Sequence, residues 1–105
     1  MKMLLLVYRQ SLDHELRDLF DELGVKGFTE APKVFGIGEA GSAFSSSGPA
    51  ADWPGHNAMI LAAMEDEQAE TVVAGLKNFS DRLAKHRNAR KVPMRVFLLP
   101  CERVL

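Results

Sequence analysis

Cysteine is almost missing from this chain: Cys101 is the single one among 105 residues. One thiol cannot close an internal disulfide or build a cysteine-rich zinc site, so a secreted disulfide scaffold is excluded. An excess of one charge is missing too. Thirteen Lys and Arg stand against fourteen Asp and Glu, a formal net charge of −1. No basic field marks nucleic acid or an anionic membrane as a partner. Long hydrophobic runs are also absent, and none approaches the roughly 20 residues of a membrane span. The run Leu4 to Val7 is shorter than the apolar region of a secretion signal, and Tyr8 and Arg9 end it. A cytoplasmic setting is expected. At this length there is material for one core only, which excludes a multidomain enzyme. The three histidines, His14, His56 and His86, are scattered without close ligand spacing. No nucleophile–base pair or carboxylate pair can be argued from order alone, so no catalytic residue is assigned.

What is present is periodic. Lys2 to Tyr8 is an unbroken apolar run of strand length. Ser11 reads as an N-cap, with Asp13 and Glu15 in the first turn where the helix dipole favours negative charge. Leu12, Leu16, Leu19, Phe20 and Leu23 recur at helical spacing, and Gly24 stands where a helix stop belongs. This predicts a helix over 12–23. A strand is expected from about Lys26 to Gly38, and Pro32 places it at a sheet edge or a bulge. His56 to Met64 reads as a second central strand. A second helix opens on Glu65, Asp66 and Glu67 and carries the stripe Ala69, Val72, Val73, Leu76, Phe79 and Leu83. A last strand covers about Met94 to Leu99.

The order βαββαβ predicts an α+β fold, a ferredoxin-like two-layer sandwich with an antiparallel sheet. Its first and third strands are central, its second and fourth are edges. Both central strands are apolar on both faces, since Met3, Leu5 and Val7 point one way and Leu4, Leu6 and Tyr8 the other. Two helices cover one face only. A partner subunit is the simplest cover for the other, so a homo-oligomer is expected.

The connection from about 39 to 55 is rich in Ser, Gly and Ala and is expected to be a mobile loop within a single domain spanning 1–105. Phe44 and Trp53 in it are candidates for docking a partner. Gly36, Gly38 and Gly41 form a formal G-x-G-x-x-G, but no helical pattern follows, so a dinucleotide fold is not indicated. Glycines at a strand end still let backbone N–H groups approach an anion. Arg82, Lys85, Arg87, Arg90 and Lys91, with no acid between 82 and 91 after Arg82, are the one cationic concentration and the best anion candidate.

The chain resembles the PII-like signalling proteins, the superfamily of the nitrogen-regulatory PII trimers. The likeness rests on the βαββαβ order, on Leu23-Gly24-Val25-Lys26-Gly27-Phe28-Thr29, on Gly36-Ile37-Gly38 before the long loop, and on Glu102-Arg103-Val104 after the last strand. The Trp53-Pro54-Gly55-His56-Asn57 phrase resembles the divergent members, some associated with ion or heavy-metal transporters. The resemblance implies a homotrimer with inward-facing sheets and a T-loop at 39–55. It also implies a small anionic effector, commonly an adenine nucleotide, in clefts between subunits. By that likeness Gly36, Ile37, Gly38, Glu39, Arg87, Arg90, Lys91 and Arg103 bind the effector. Phe44 and Trp53 meet the target, a membrane transporter or an enzyme. The family's glycine-rich phosphate stretch T-G-x-x-G-D-G-K reads Ala84 to Pro93 here without a glycine, and its glutamine after G-x-G is Ala40. These departures argue against ATP held in the family's manner.

The expected function is thus a non-enzymatic regulator. Two alternatives stand beside it. One is a trimer resembling the CutA type that binds a divalent or heavy metal through His56 or Cys101 between subunits. The other is a small dimeric ferredoxin-like enzyme.

Overall fold

The computed structural model describes residues 1–35, 37–38, 41–42, 56–86 and 92–105 of the chain. The apolar run at the start forms β1 (Lys2–Arg9), followed by a 3-10 turn (Gln10–Leu12) and α1 (Asp13–Glu22). Then come β2 (Thr29–Val34), a two-stranded ribbon of β3 (Ile37–Gly38) and β4 (Gly41–Ser42), β5 (Asn57–Met64), α2 (Asp66–His86) and β6 (Met94–Pro100). The main sheet has the order β2-β5-β1-β6 and is antiparallel throughout. This is the expected α+β ferredoxin-like arrangement, with the two uninterrupted apolar strands at the centre. Pro32 lies on the edge strand, and the register of β2 against β5 shifts between Ala31 and Val34 around it. A residue without an N–H is tolerated at an edge or a bulge, and this position is both.

Alternation divides the central strands into two faces. Leu4, Leu6 and Tyr8 of β1 and Ala58, Ile60, Ala62 and Met64 of β5 are buried beneath the helices. Leu12, Leu16, Leu19 and Phe20 of the first helical segment meet them, as do Ala69, Val72, Leu76, Phe79 and Leu83 of α2. Of the expected stripes, Val73 and Leu23 are only partly buried. Gly75 is the point of closest approach between α2 and the end of α1, because a Cβ there would meet Leu23 Cδ1 at 2.6 Å.

The opposite face carries a second apolar set. Leu5 pairs with Leu61 on one side and Phe97 on the other, and Met3 pairs with Ala63 and Leu99. No helix covers this face among the described residues. Phe97 and Leu99 are close to half exposed.

The first helix departs from expectation at its start and agrees at its end. Ser11 does not cap it. The chain enters through the 3-10 turn, no side chain caps either helical segment, and Ser11 Oγ is buried without a partner. The stop at Gly24 is as expected. Its φ is 77°, its N–H donates to Asp21 O at 3.2 Å, and Val25 N–H donates to Phe20 O at 2.9 Å. These are the paired bonds of a Schellman C-terminus.

A polar cluster ties α1 to the edge strand. The Tyr8 hydroxyl lies 2.5 Å from Asp13 Oδ1 and 2.8 Å from Glu30 Oε1. Arg17 bonds Asp13 at 2.9 Å and also reaches Glu30. Burial and the two carboxylates push the Tyr8 phenol far above its usual range. Burial alone would raise the Asp13 carboxyl, but hydrogen bonds with Glu30, Tyr8 and Arg17, together with the Arg17 charge, hold it below the usual carboxylate range. A folded value below the unfolded one stabilises the fold above the unfolded pKa. That contribution is lost as pH falls from about 4 through the lower folded value.

Two outcomes are expected from this cluster. Tyr8→Phe lowers stability by about 1–3 kcal/mol in urea unfolding, because it removes a hydrogen bond to charged partners. Asp13→Asn flattens the fall in stability below pH 4. An unchanged acid limb in Asp13→Asn would show that the cluster contributes nothing to acid sensitivity.

Candidate functional site

The expected site residues belong to connections that meet at one end of the sheet. β1 finishes there and β5 and β6 begin there, because both pair antiparallel with β1. The joint is made by backbone bonds. Arg9 N–H donates to Pro93 O at 3.0 Å, and Gln10 N–H donates to His56 O at 2.7 Å. One turn of chain after β1 thus holds both the residue that opens onto β5 and the residue that opens onto β6. Val92 anchors the second of these in the core and accepts from Met94 N–H at 2.8 Å. His56 Nε2 lies 3.1 Å from Pro32 O, so the imidazole fastens the start of β5 to the bulge in β2. An imidazole nitrogen beside a carbonyl is the protonated one, which leaves Nδ1 as the free nitrogen.

Of the expected effector residues, Ile37 and Gly38 lie in β3, where Gly38 pairs with Gly41 of β4. The G-x-G-x-x-G pattern therefore runs into a strand and not into a helix opening. This accords with setting the dinucleotide fold aside. β4 also takes two residues from the connection that was expected to be loop from 39 to 55. Gly36, Glu39, Phe44, Trp53, Arg87, Arg90 and Lys91 lie outside the described residues. In chain order residues 87–91 join α2 to Val92, so this cationic stretch returns to the sheet at the same end.

Arg103 does not share this place. It follows β6, whose last residues pair with Lys2 and Met3, and Cys101 N–H donates to Met1 O at 3.4 Å. The length of an eight-residue strand, roughly 25 Å, separates it from the other end. Within one chain, Arg103 cannot join the glycines of β3 or the 87–91 stretch. The same distance separates His56 from Cys101, so those two cannot hold one metal ion within a chain. Among the described residues no group of three His, Cys, Asp or Glu side chains could hold a metal.

The basic end of α2 is partly neutralised. Arg82 lines a shallow groove between the helices together with Glu15, Asp18 and Glu22 of α1. Lys85 and His86 are exposed. His14 is exposed and lies 3.6 Å from Asp18. Among the described residues no helix is long and apolar enough to cross a membrane.

Sequence reasoning passed over one residue at this end. Arg9 served there only to end the apolar run, yet it is the buried charged residue of the sheet's loop end. An arginine at the end of a strand carries no local signal that it will be buried.

Comparisons with known proteins agree with this architecture. The family model for Nitrogen regulatory protein P-II matches residues 1–105. No curated protein matches the chain. Similar solved structures include CPII, a nitrogen regulatory PII-like protein from Thiomonas intermedia K12. The CPII structure bound to ADP, AMP and bicarbonate is 22% identical, covers 97% of this chain and 88% of its own, and has a TM-score of 0.62. The same protein bound to ADP and bicarbonate gives the same figures. Its apo form is 20% identical, with 97% and 91% covered and a TM-score of 0.59. Identity at this level establishes likeness of fold.

One outcome tests the anchoring at the base of β5. His56→Ala removes an exposed hydrogen bond, so global stability falls by no more than about 1 kcal/mol. Amide exchange in β2 on either side of the bulge speeds up. Equal protection of Val34 in both proteins would mean that the imidazole does not hold the edge strand.

Proposed function

The chain belongs to the nitrogen regulatory protein P-II family, and from that premise we propose that it is a non-enzymatic cytoplasmic regulator acting as a homotrimer. A small anionic effector, an adenine nucleotide, binds in the clefts between its subunits. Gly36, Ile37, Gly38 and Glu39 supply backbone and side-chain contacts, and Arg87, Arg90 and Lys91 supply charge. Arg103 comes from the neighbouring subunit. Binding orders the 39–55 connection, which then offers Phe44 and Trp53 to a target protein, a transporter or an enzyme. Ordering a backbone costs on the order of 1 kcal/mol per residue, so the effector must contact the ordered state better than the free one.

The observation that carries this reading is the position of the site residues on the two ends of one sheet. The β2–β5 and α2–β6 connections leave and return at one end, and Arg103 stands at the other. A site using all of them needs two copies of the chain. The bare sheet face with Leu5, Leu61 and Phe97 supplies a surface on which copies can pack. CPII, which shares the fold, has been solved with ADP, AMP and bicarbonate bound, and this supports the effector class.

Two measurements check it. Light scattering is expected to give roughly three times the 11.6 kDa chain mass, and Phe97→Asp to lower it by placing a charge in the covered face. Calorimetry is expected to show binding of ADP or AMP, weakened about ten- to a hundredfold by Arg90→Ala or by Arg103→Ala, the loss of one charge-assisted hydrogen bond. A monomer at micromolar concentration overturns the assembly. No response to ATP, ADP or AMP at millimolar concentration overturns the nucleotide.

A further inference from the structure

Arg9 is 2% exposed, and its Nε and Nη1 have no hydrogen-bond partner. Two residues on, Ser11 Oγ is buried and unpaired as well. Among the described residues no carboxylate forms an ion pair with Arg9. Asp13 and Glu30, the partly buried acids near the same end, are taken by Tyr8 and Arg17. The cation–π contacts belong to Arg17 and Lys33. Burial pulls the Arg9 guanidinium below its usual range, the direction of desolvation without compensation. A buried carboxyl or amine can escape such a position by becoming neutral, but a guanidinium cannot. Its charge therefore stays, and it needs an anion.

We propose that Arg9 binds a small oxyanion, of carboxylate or bicarbonate size, against its guanidinium at the loop end of the sheet. A planar oxyanion matches the guanidinium fork and accepts two N–H bonds at once. The site differs from the intersubunit cleft in that a single chain contains it. The backbone of Arg9 and Gln10 also holds Pro93 and His56. An anion that settles Arg9 thereby settles the two points from which the 43–55 and 87–91 segments depart in chain order. For the anion's role as a signal, this inference rests on the regulatory reading above. For its binding it rests on Arg9 alone.

The test is thermal unfolding of the full chain without nucleotide. Acetate, bicarbonate and inorganic phosphate are compared with chloride at constant ionic strength. At several times its Kd an oxyanion is expected to raise the Tm of the wild type by roughly 4–8 °C, and chloride is not. Arg9→Met is expected to melt higher than the wild type without oxyanion, because the unpaired charge is gone, and to show no oxyanion response. Arg9→Lys keeps the charge without the fork and is expected to respond only at about tenfold higher concentration. Response to acetate and bicarbonate but not phosphate assigns the site to planar carboxylate-type anions. Response to phosphate alone assigns it to phosphates.

The inference is overturned by a wild type that ignores all three oxyanions, by an Arg9→Met that responds as the wild type does, or by an Arg9→Met that melts lower without anion. Calorimetry with ADP on the same proteins separates the two readings. Nucleotide binding without an Arg9-dependent oxyanion response removes this inference alone. The reverse removes the nucleotide alone.

Discussion

A sheet that is apolar on both faces has helices for only one of them, and most of this structure answers to that imbalance. Leu4, Leu6, Tyr8, Ala58 and Ile60 sink beneath α1 and α2. Their neighbours Leu5, Val7, Met59 and Leu61 form a second surface, continued by Phe97 and Leu99 on the β6 edge. Two amphipathic helices have a stripe each, and both stripes are used on the first face. The second face therefore looks outward for its cover. Once copies of the chain pack there, residues from opposite ends of the sheet can meet across the joint. Arg103 and the glycines of β3 have no other way to share a ligand.

The loop end of the sheet is organised by backbone bonds more than by side chains. Arg9 and Gln10 hold Pro93 and His56, and His56 holds Pro32 at the bulge. Each bond closes a chain segment whose other end is far away in sequence, so this corner gathers β1, β2, β5 and β6 into one place. A buried, unpaired guanidinium in such a corner is costly. Stable proteins keep such a group only with a compensating partner, and the candidates within reach are already committed to Tyr8 and Arg17.

Much of the fold was legible in the residues. Alternation and run length marked β1 and β5 as central strands, and helical spacing marked both helices to within two or three residues. Pro32 marked an edge with a bulge because a missing N–H acts locally. Gly24 marked a left-handed helix stop for the same reason. The misreadings have long-range causes. Ser11 has the chemistry of a cap, but β1 runs on to Arg9 and the chain turns through a 3-10 segment instead. The Asp13–Arg17 pair is visible as an i,i+4 spacing. Glu30 joins it from 22 residues beyond Tyr8, and no local pattern could have brought it there. The cationic run at the end of α2 looked free of acids, yet α1 sets Glu15, Asp18 and Glu22 beside Arg82.

By itself the sequence determined the element order, the central and edge strands, the turn at Gly24 and the surplus of apolar surface. All of these follow from side-chain periodicity and from the backbone limits of proline and glycine, which act over a few residues. Only the tertiary structure decided which candidates share a place. Strand register put His56 and Cys101, and likewise the β3 glycines and Arg103, at opposite ends of one sheet. It also left Arg9 buried with no partner. Register is set by pairing between distant segments, and the burial of a charge depends on everything that packs around it.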